Sequence, residues 1–189
     1  MSPPQQTERK PWPESCRLLV EELPRESWAD HPHHTGLIRF WLSRHHGFRK
    51  KLRRLEHETQ LHIEKMDDPA GFAHSMYQEA EYLVQGLKGH HQIEDHHFFP
   101  ILKKLDARAR EGFEILESDH VMVDRLLADF SLQTHTLLYD CGQREEFENH
   151  SVLLLQAIQK LKAYLHRHLD DEENIVVPVL LKYAPDGIR

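Results

Sequence analysis

Four stretches of this chain place apolar residues at alternating steps of three and four, the spacing that turns one stripe of an α-helix toward a shared core. The first stripe carries Ile38, Trp41, His45, Phe48, Leu52 and Leu55 and should end before Asp67, with Asp68 as an N-cap and Pro69 opening the next helix. The second carries Ala73, Met76, Ala80, Leu83, Leu87, His90, Glu94 and His97 and runs towards Pro100; Gly86 and Gly89 weaken it without breaking its period. The third carries Phe113, Leu116, His120, Val123, Leu127 and Phe130, and Asp140 to Gly142 mark the turn after it. The fourth carries Leu154, Ile158, Leu161, Leu165, His168, Glu172 and Ile175 and runs towards Pro178. Together they predict an all-α protein: an antiparallel up-down four-helix bundle over residues 35–185, preceded by an irregular, proline-rich arm over residues 1–34. Trp12, Leu23 and Trp28 would anchor that arm.

The stripes are apolar except where they are His or Glu, and such groups are costly on a core-facing stripe unless something inside the bundle satisfies them. Histidine is abundant: the 17 residues outnumber Phe, Tyr and Trp together. The second and fourth stripes carry one pattern twice, His90-x3-Glu94-x5-Pro100 and His168-x3-Glu172-x5-Pro178. The first and third repeat too, since His45 and His120 are each followed by apolar residues at +3 and +7. His45 and His90 are 45 residues apart, His120 and His168 48. With a turn near residue 66 and a rise of about 1.5 Å per residue, His45 and His90 should sit at nearly one height. Residues four apart share a helix face, so each His-x3-Glu can present a nitrogen and an oxygen to one site. A single His-x3-Glu carries little, because five of the 17 histidines have an acid four residues on; the repeat, proline offset and seam together carry the reading. Six candidate metal ligands follow: His45, His90, Glu94, His120, His168 and Glu172. Four imidazoles and two carboxylates suit a non-haem di-iron centre, each ion taking two histidines, the glutamates bridging, and an oxo or hydroxo bridge completing it.

The segments HHQIEDHHFFPIL and HRHLDDEENIVVPVL resemble the paired signatures of the hemerythrin-like, or HHE cation-binding, family, over about residues 35–183. The resemblance implies that each motif supplies a His and a bridging Glu and that each preceding helix supplies another His. Carried over, this selects the same six residues. The oxygen-carrying hemerythrins have a His-x3-His on the third helix, whereas here Asp124 lies four after His120. The chain is closer to the symmetric four-histidine, two-glutamate type, which the resemblance associates with iron or oxygen sensing, nitric oxide response and iron–sulfur cluster repair. Cluster-repair members often carry a cysteine-bearing N-terminal domain; here the arm is short and Cys16 is its one cysteine.

Neighbouring polar residues read differently. His46, His91 and His166 turn about 100° from their seams and read as surface groups or as supports for a ligand, and Asp124 as solvated or supporting. His97, on the seam, reads as packing near a helix end, with proton transfer as the alternative; His31, His33 and His34 read as a solvated loop. Nothing favours a redox role over packing for Tyr77, Tyr82 and Tyr164. A ferritin-like site fails because the first stripe has no Glu. Cys16 and Cys141 read as free thiols. The net charge of −7, without a basic block, gives no footprint for nucleic acid or an anionic membrane. No apolar stretch suggests a signal peptide or membrane span, so a cytoplasmic protein is expected.

Three functions fit such a centre. The favoured one is a module that binds or senses oxygen, nitric oxide or peroxide. The others are a di-iron enzyme, reducing peroxide or nitric oxide or serving cluster repair, and an iron storage or delivery protein with a protein partner. No motif separates them, and the question of enzymatic activity stays open at this level.

Overall fold

The computed structural model describes residues 12–34, 36–140 and 142–184, and all regular structure among them is helical. Four long helices account for most of it: α2 (Gly36–Lys65), α3 (Pro69–Ile93), α5 (Arg110–Tyr139) and α6 (Arg144–Tyr183). Two short ones join them, α1 (Glu14–Glu22) and α4 (Phe99–Leu105). The long helices bury the stripes their sequences proposed, apart from His97 beyond the end of α3. In α2 the buried residues fall at 38, 41, 45, 48, 52, 55, 59 and 62, an unbroken alternation of three and four. Burying each large apolar side chain of such a stripe contributes roughly 1.5–3 kcal/mol, which is why packing rather than intrinsic propensity holds these helices.

The turn between α2 and α3 follows its predicted chemistry. Asp68 adopts a left-handed conformation at the N-cap, its carboxylate accepts from the Gly71 N–H at 3.1 Å, and Pro69 begins α3. The prolines at 100 and 178 are not helix ends. Pro100 lies in the first turn of α4, directly after a π-helical turn over Glu94–Phe98, and α6 runs through Pro178 to Tyr183. Val176, Val177, Val179, Leu180 and Leu181 are buried around Pro178, and that packing offsets the missing backbone bond.

The arm departs from its expectation. Residues 14–22 form helix α1 rather than irregular chain, and Cys16 and Leu19, three apart, are buried against the bundle. The packing is close: a Cβ on Gly112 of α5 would lie 2.8 Å from Cys16 Sγ and 2.7 Å from Ile175 Cδ1. Trp28 is buried too, its Nε1–H donating to Leu23 O at 2.8 Å. His33 is exposed in the turn before α2, as expected, and donates from Nδ1 to Leu181 O at 2.7 Å, which ties that loop to α6. Cys16 is a free, buried thiol; Cys141 and residues 1–11 lie outside the described residues.

The core falls into two apolar clusters. One gathers Phe48, Leu52, Leu55, Met76, Leu83, Leu87, Val123, Leu127, Leu161 and Leu165 from the four long helices. The other joins Leu19 and Trp28 of the arm to Ile38, Trp41, Phe99, Phe113, Leu116 and Ile175. α6 packs chiefly on α5 and α2, and α3 on α5, while α2 and α3 touch each other far less. No helix among the described residues is long and apolar enough to cross a membrane.

Candidate metal centre

A polar layer separates the two clusters. Along α2, His45 falls between Trp41 and Phe48; along α5, His120 falls between Leu116 and Val123. The layer comprises His90 and His91 at the end of α3, Glu94 directly after it, and His168 and Glu172 on α6. His45, Glu94, His120, His168 and Glu172 are all at most 3% exposed. The structure therefore brings together all six residues proposed from the repeat.

Their atoms fall into two sets, each with donors within 4.8 Å of one another: His45, His90, Glu94 and Glu172 in one, His91, His120 and His168 in the other. The carboxylates connect the sets. Glu94 places Oε1 2.9 Å from His90 Nε2 and Oε2 3.6 Å from His120 Nε2. Glu172 places Oε1 3.4 Å from His45 Nε2 and Oε2 3.5 Å from His168 Nε2. Each carboxylate thus spans one imidazole of either set. Trp41 Nε1–H donates to Glu172 Oε1 at 2.5 Å and fixes that carboxylate from the α2 side.

Behind the imidazoles stands a second group of carboxylates. His45 Nδ1 lies 3.0 Å from Glu173 Oε1, His120 Nδ1 2.7 Å from Asp95 Oδ1, and His168 Nδ1 3.7 Å from Asp119 Oδ2. The first two contacts hold their imidazoles with the N–H on Nδ1 and the Nε2 lone pair facing inward, while the Asp119 carboxylate stands beside His168 at longer range. Glu173 is held by Arg49 at 2.6 Å and by Arg25 of the arm at 2.9 Å, and Asp119 accepts from the Tyr164 hydroxyl at 2.7 Å. The arm thereby reaches the support of His45.

Protonation follows this geometry. Burial pushes His90 down to about 3, against the pull of Glu172 and with the help of the neighbouring histidines. Burial also lowers His168, against its Asp119 contact, and holds His91 well below the usual range. For His45 burial is outweighed by the Glu172 and Glu173 carboxylates, which raise it. The two inner carboxylates split: burial and the charge of Glu172 push Glu94 well above the usual range, while Glu172 is held well below it because His45, His90 and His168 outweigh its burial. Both oxygens of Glu94, Oε2 of Glu172 and Nε2 of His120 and His168 are buried without a hydrogen-bond partner among the described residues. Lone pairs turned toward one another in a buried layer repel, and cations between them would satisfy all of them. Mixed imidazole and carboxylate donors suit first-row transition ions, so these residues fit a metal.

A cleft of ≈ 390 Å³ leads inward between α2 and α3, lined by Trp41, Gly86, Gly89, His90, Glu94 and Phe98 among others. A larger cleft of ≈ 750 Å³ lies beside α5, but of the groups just described it meets only Asp119 and Tyr164, behind His168. The smaller one reaches the inner donors themselves.

Sequence reasoning misplaced two histidines. His91 does not face away: it is 4% exposed and stacks on His120 with ring centroids 4.1 Å apart. α3 lies against both α2 and α5, so adjacent residues straddle its inward direction, His90 meeting His45 and His91 meeting His120. His97 leaves the seam and is exposed, because residues 94–98 form a π-helical turn that inserts one residue and brings Phe98 and Phe99 inward. His46 and Asp124 are exposed and His166 half-buried. The supports Asp95, Asp119 and Glu173 were not singled out, although each adjoins a proposed ligand in sequence.

Compared with known families, residues 36–180 match the one described as Hemerythrin HHE cation binding domain. No curated protein and no solved structure matches the chain.

Proposed function

The chain belongs to the hemerythrin family of HHE cation-binding domains, and on that premise we propose that it holds two iron ions and binds or senses oxygen, nitric oxide or peroxide at them. His45, His90, Glu94, His120, His168 and Glu172 are the proposed ligands, the glutamates bridging. The observation that carries this reading is the span of the two carboxylates, each with one oxygen toward either set of imidazoles. An antiparallel up-down arrangement of α2, α3, α5 and α6 belongs to the same reading. Its support is the order of the two clusters, which α2 and α5 traverse in one sense and α3 continued by α4, and α6, in the other.

Bound iron would supply open coordination positions and a reservoir of electrons. The chain's own residues do the rest. Asp95 and Glu173 orient His120 and His45, Asp119 places a carboxylate beside His168, Trp41 fixes Glu172, and the apolar clusters on either side exclude water. The α2–α3 cleft, with Phe98 and Trp41 in its walls, suits a small, weakly polar ligand.

Anaerobic loading with iron(II), followed by metal analysis and an absorption spectrum on exposure to air, nitric oxide or peroxide, tests this. Two irons per chain and a reversible spectral change are expected, without catalytic consumption of the ligand. Glu94→Ala and Glu172→Ala should each lower iron content, and full retention of two irons by both would refute the bridging assignment. Sustained turnover of peroxide or nitric oxide would replace sensing by catalysis.

A further inference from the structure

The polar layer contains one donor that the repeated motif does not explain. His91 is 4% exposed, and neither of its ring nitrogens has a hydrogen-bond partner among the described residues. A structural histidine in a core normally donates from one nitrogen and accepts at the other, so one with both unpaired is an unmet demand. What surrounds it is the second donor set: its ring stacks on His120 at 4.1 Å and meets His168 edge-on at 5.5 Å, and one nitrogen of each of the three lies within 4.8 Å of the others.

We propose that His91 is a third imidazole ligand of the metal held by His120 and His168, making a centre of five histidines and two glutamates divided unevenly between its ions. The inference rests on the two-metal reading above and departs from its symmetric ligand set. The extra histidine comes from the residue beside His90 on α3, not from α5, where Asp124 is exposed. The ring of His91 lies 8° from parallel to that of His120, so one ion cannot lie in both ring planes as they stand. A turn about the Cβ–Cγ bond, a broad and soft torsion in histidine, brings the His91 nitrogen to bear without moving the helix. The ion beside His45 and His90 then keeps the smaller number of protein donors, and it is the one the α2–α3 cleft reaches through His90.

The test counts imidazoles in the cobalt(II)-loaded full chain, where each ligating histidine contributes one paramagnetically shifted, solvent-exchangeable N–H resonance. Wild type should show five, and His91→Phe, which keeps a stacking ring but no nitrogen, should show four. Chelator competition with iron(II) should show one of the two ions weakened at least about tenfold in His91→Phe, the other little changed. A wild-type protein that binds two ions but shows four resonances overturns the proposal and leaves the two-metal reading standing, even if the variant fails to fold. Unaltered affinity for both ions in a folded His91→Phe does the same. A wild-type chain that binds no ion pair overturns both.

Discussion

His90, His91 and His168 lie in the fold as neutral bases, while in the unfolded chain they would titrate near their ordinary values. A depressed folded value means that the unfolded state binds more protons below about 6.5, so these groups contribute stability above that pH. That contribution is lost as pH falls, for His90 over the range down to about 3. Glu94 and His45 work in the opposite sense, since their raised values favour the fold at lower pH, but the depressed imidazoles outnumber them. Metal-free protein should therefore lose thermal stability steadily as pH is lowered from about 7 to about 5, followed by circular dichroism. A flat or rising melting temperature across that window would mean that the imidazoles are not held neutral. The same residues mark the limit of sequence reading at this scale. His45, His90, Glu94, His120, His168 and Glu172 were legible because each lies on a stripe that is otherwise apolar. His91 was not, because a stripe assigns one inward direction to a helix that in fact has two neighbours to face.

Among the elements, α3 carries the most specialised design. Gly86 and Gly89 look in the sequence like weak points of a helix, but both line the cleft toward His90. A Cβ on Gly89 meets nothing within 4 Å, so that position is open space. Gly89→Leu should stabilise the helix by roughly 0.5–1 kcal/mol by removing glycine's excess chain entropy. It should leave iron content unchanged and slow the association of nitric oxide with the iron-loaded protein, read by stopped-flow absorbance. An unchanged rate would place ligand access elsewhere. The π-helical turn at Glu94–Phe98 follows at once, keeping Glu94 in the layer while re-aiming Phe98 and Phe99 into the neighbouring cluster. No periodicity announces such a turn, since it is the break in the period, and His97 was misplaced by reading through it. Helix α1 was missed for another reason: nine residues between prolines are too few to be stable alone, and they pack on α6 and on the turn at Ala107–Ala109 that leads into α5.

For the whole molecule, a layer of seven imidazoles and carboxylates between two apolar clusters is a liability that cations would convert into a joint. Because donors come from all four long helices, metal should stabilise the entire bundle and not one end of it. Metal that binds only the folded chain adds about 2.7 kcal/mol per site at a hundredfold excess over Kd. Iron(II) should raise the melting temperature in a concentration-dependent way and a chelator should reverse it; a melting temperature indifferent to metal would contradict a site shared among the helices. The sequence by itself determined the helical class, the inward stripes, the duplicated motif and six of the seven inner donors, because periodicity and the cost of burying charge act locally along each helix. Only the tertiary structure decided that His91 joins the layer, that His97 leaves it, that Glu173 ties His45 to Arg25 of the arm, and that the inner donors are reached between α2 and α3. Those outcomes depend on which helices stand beside which, and contacts between residues far apart in the chain leave no mark in the spacing within any one of them.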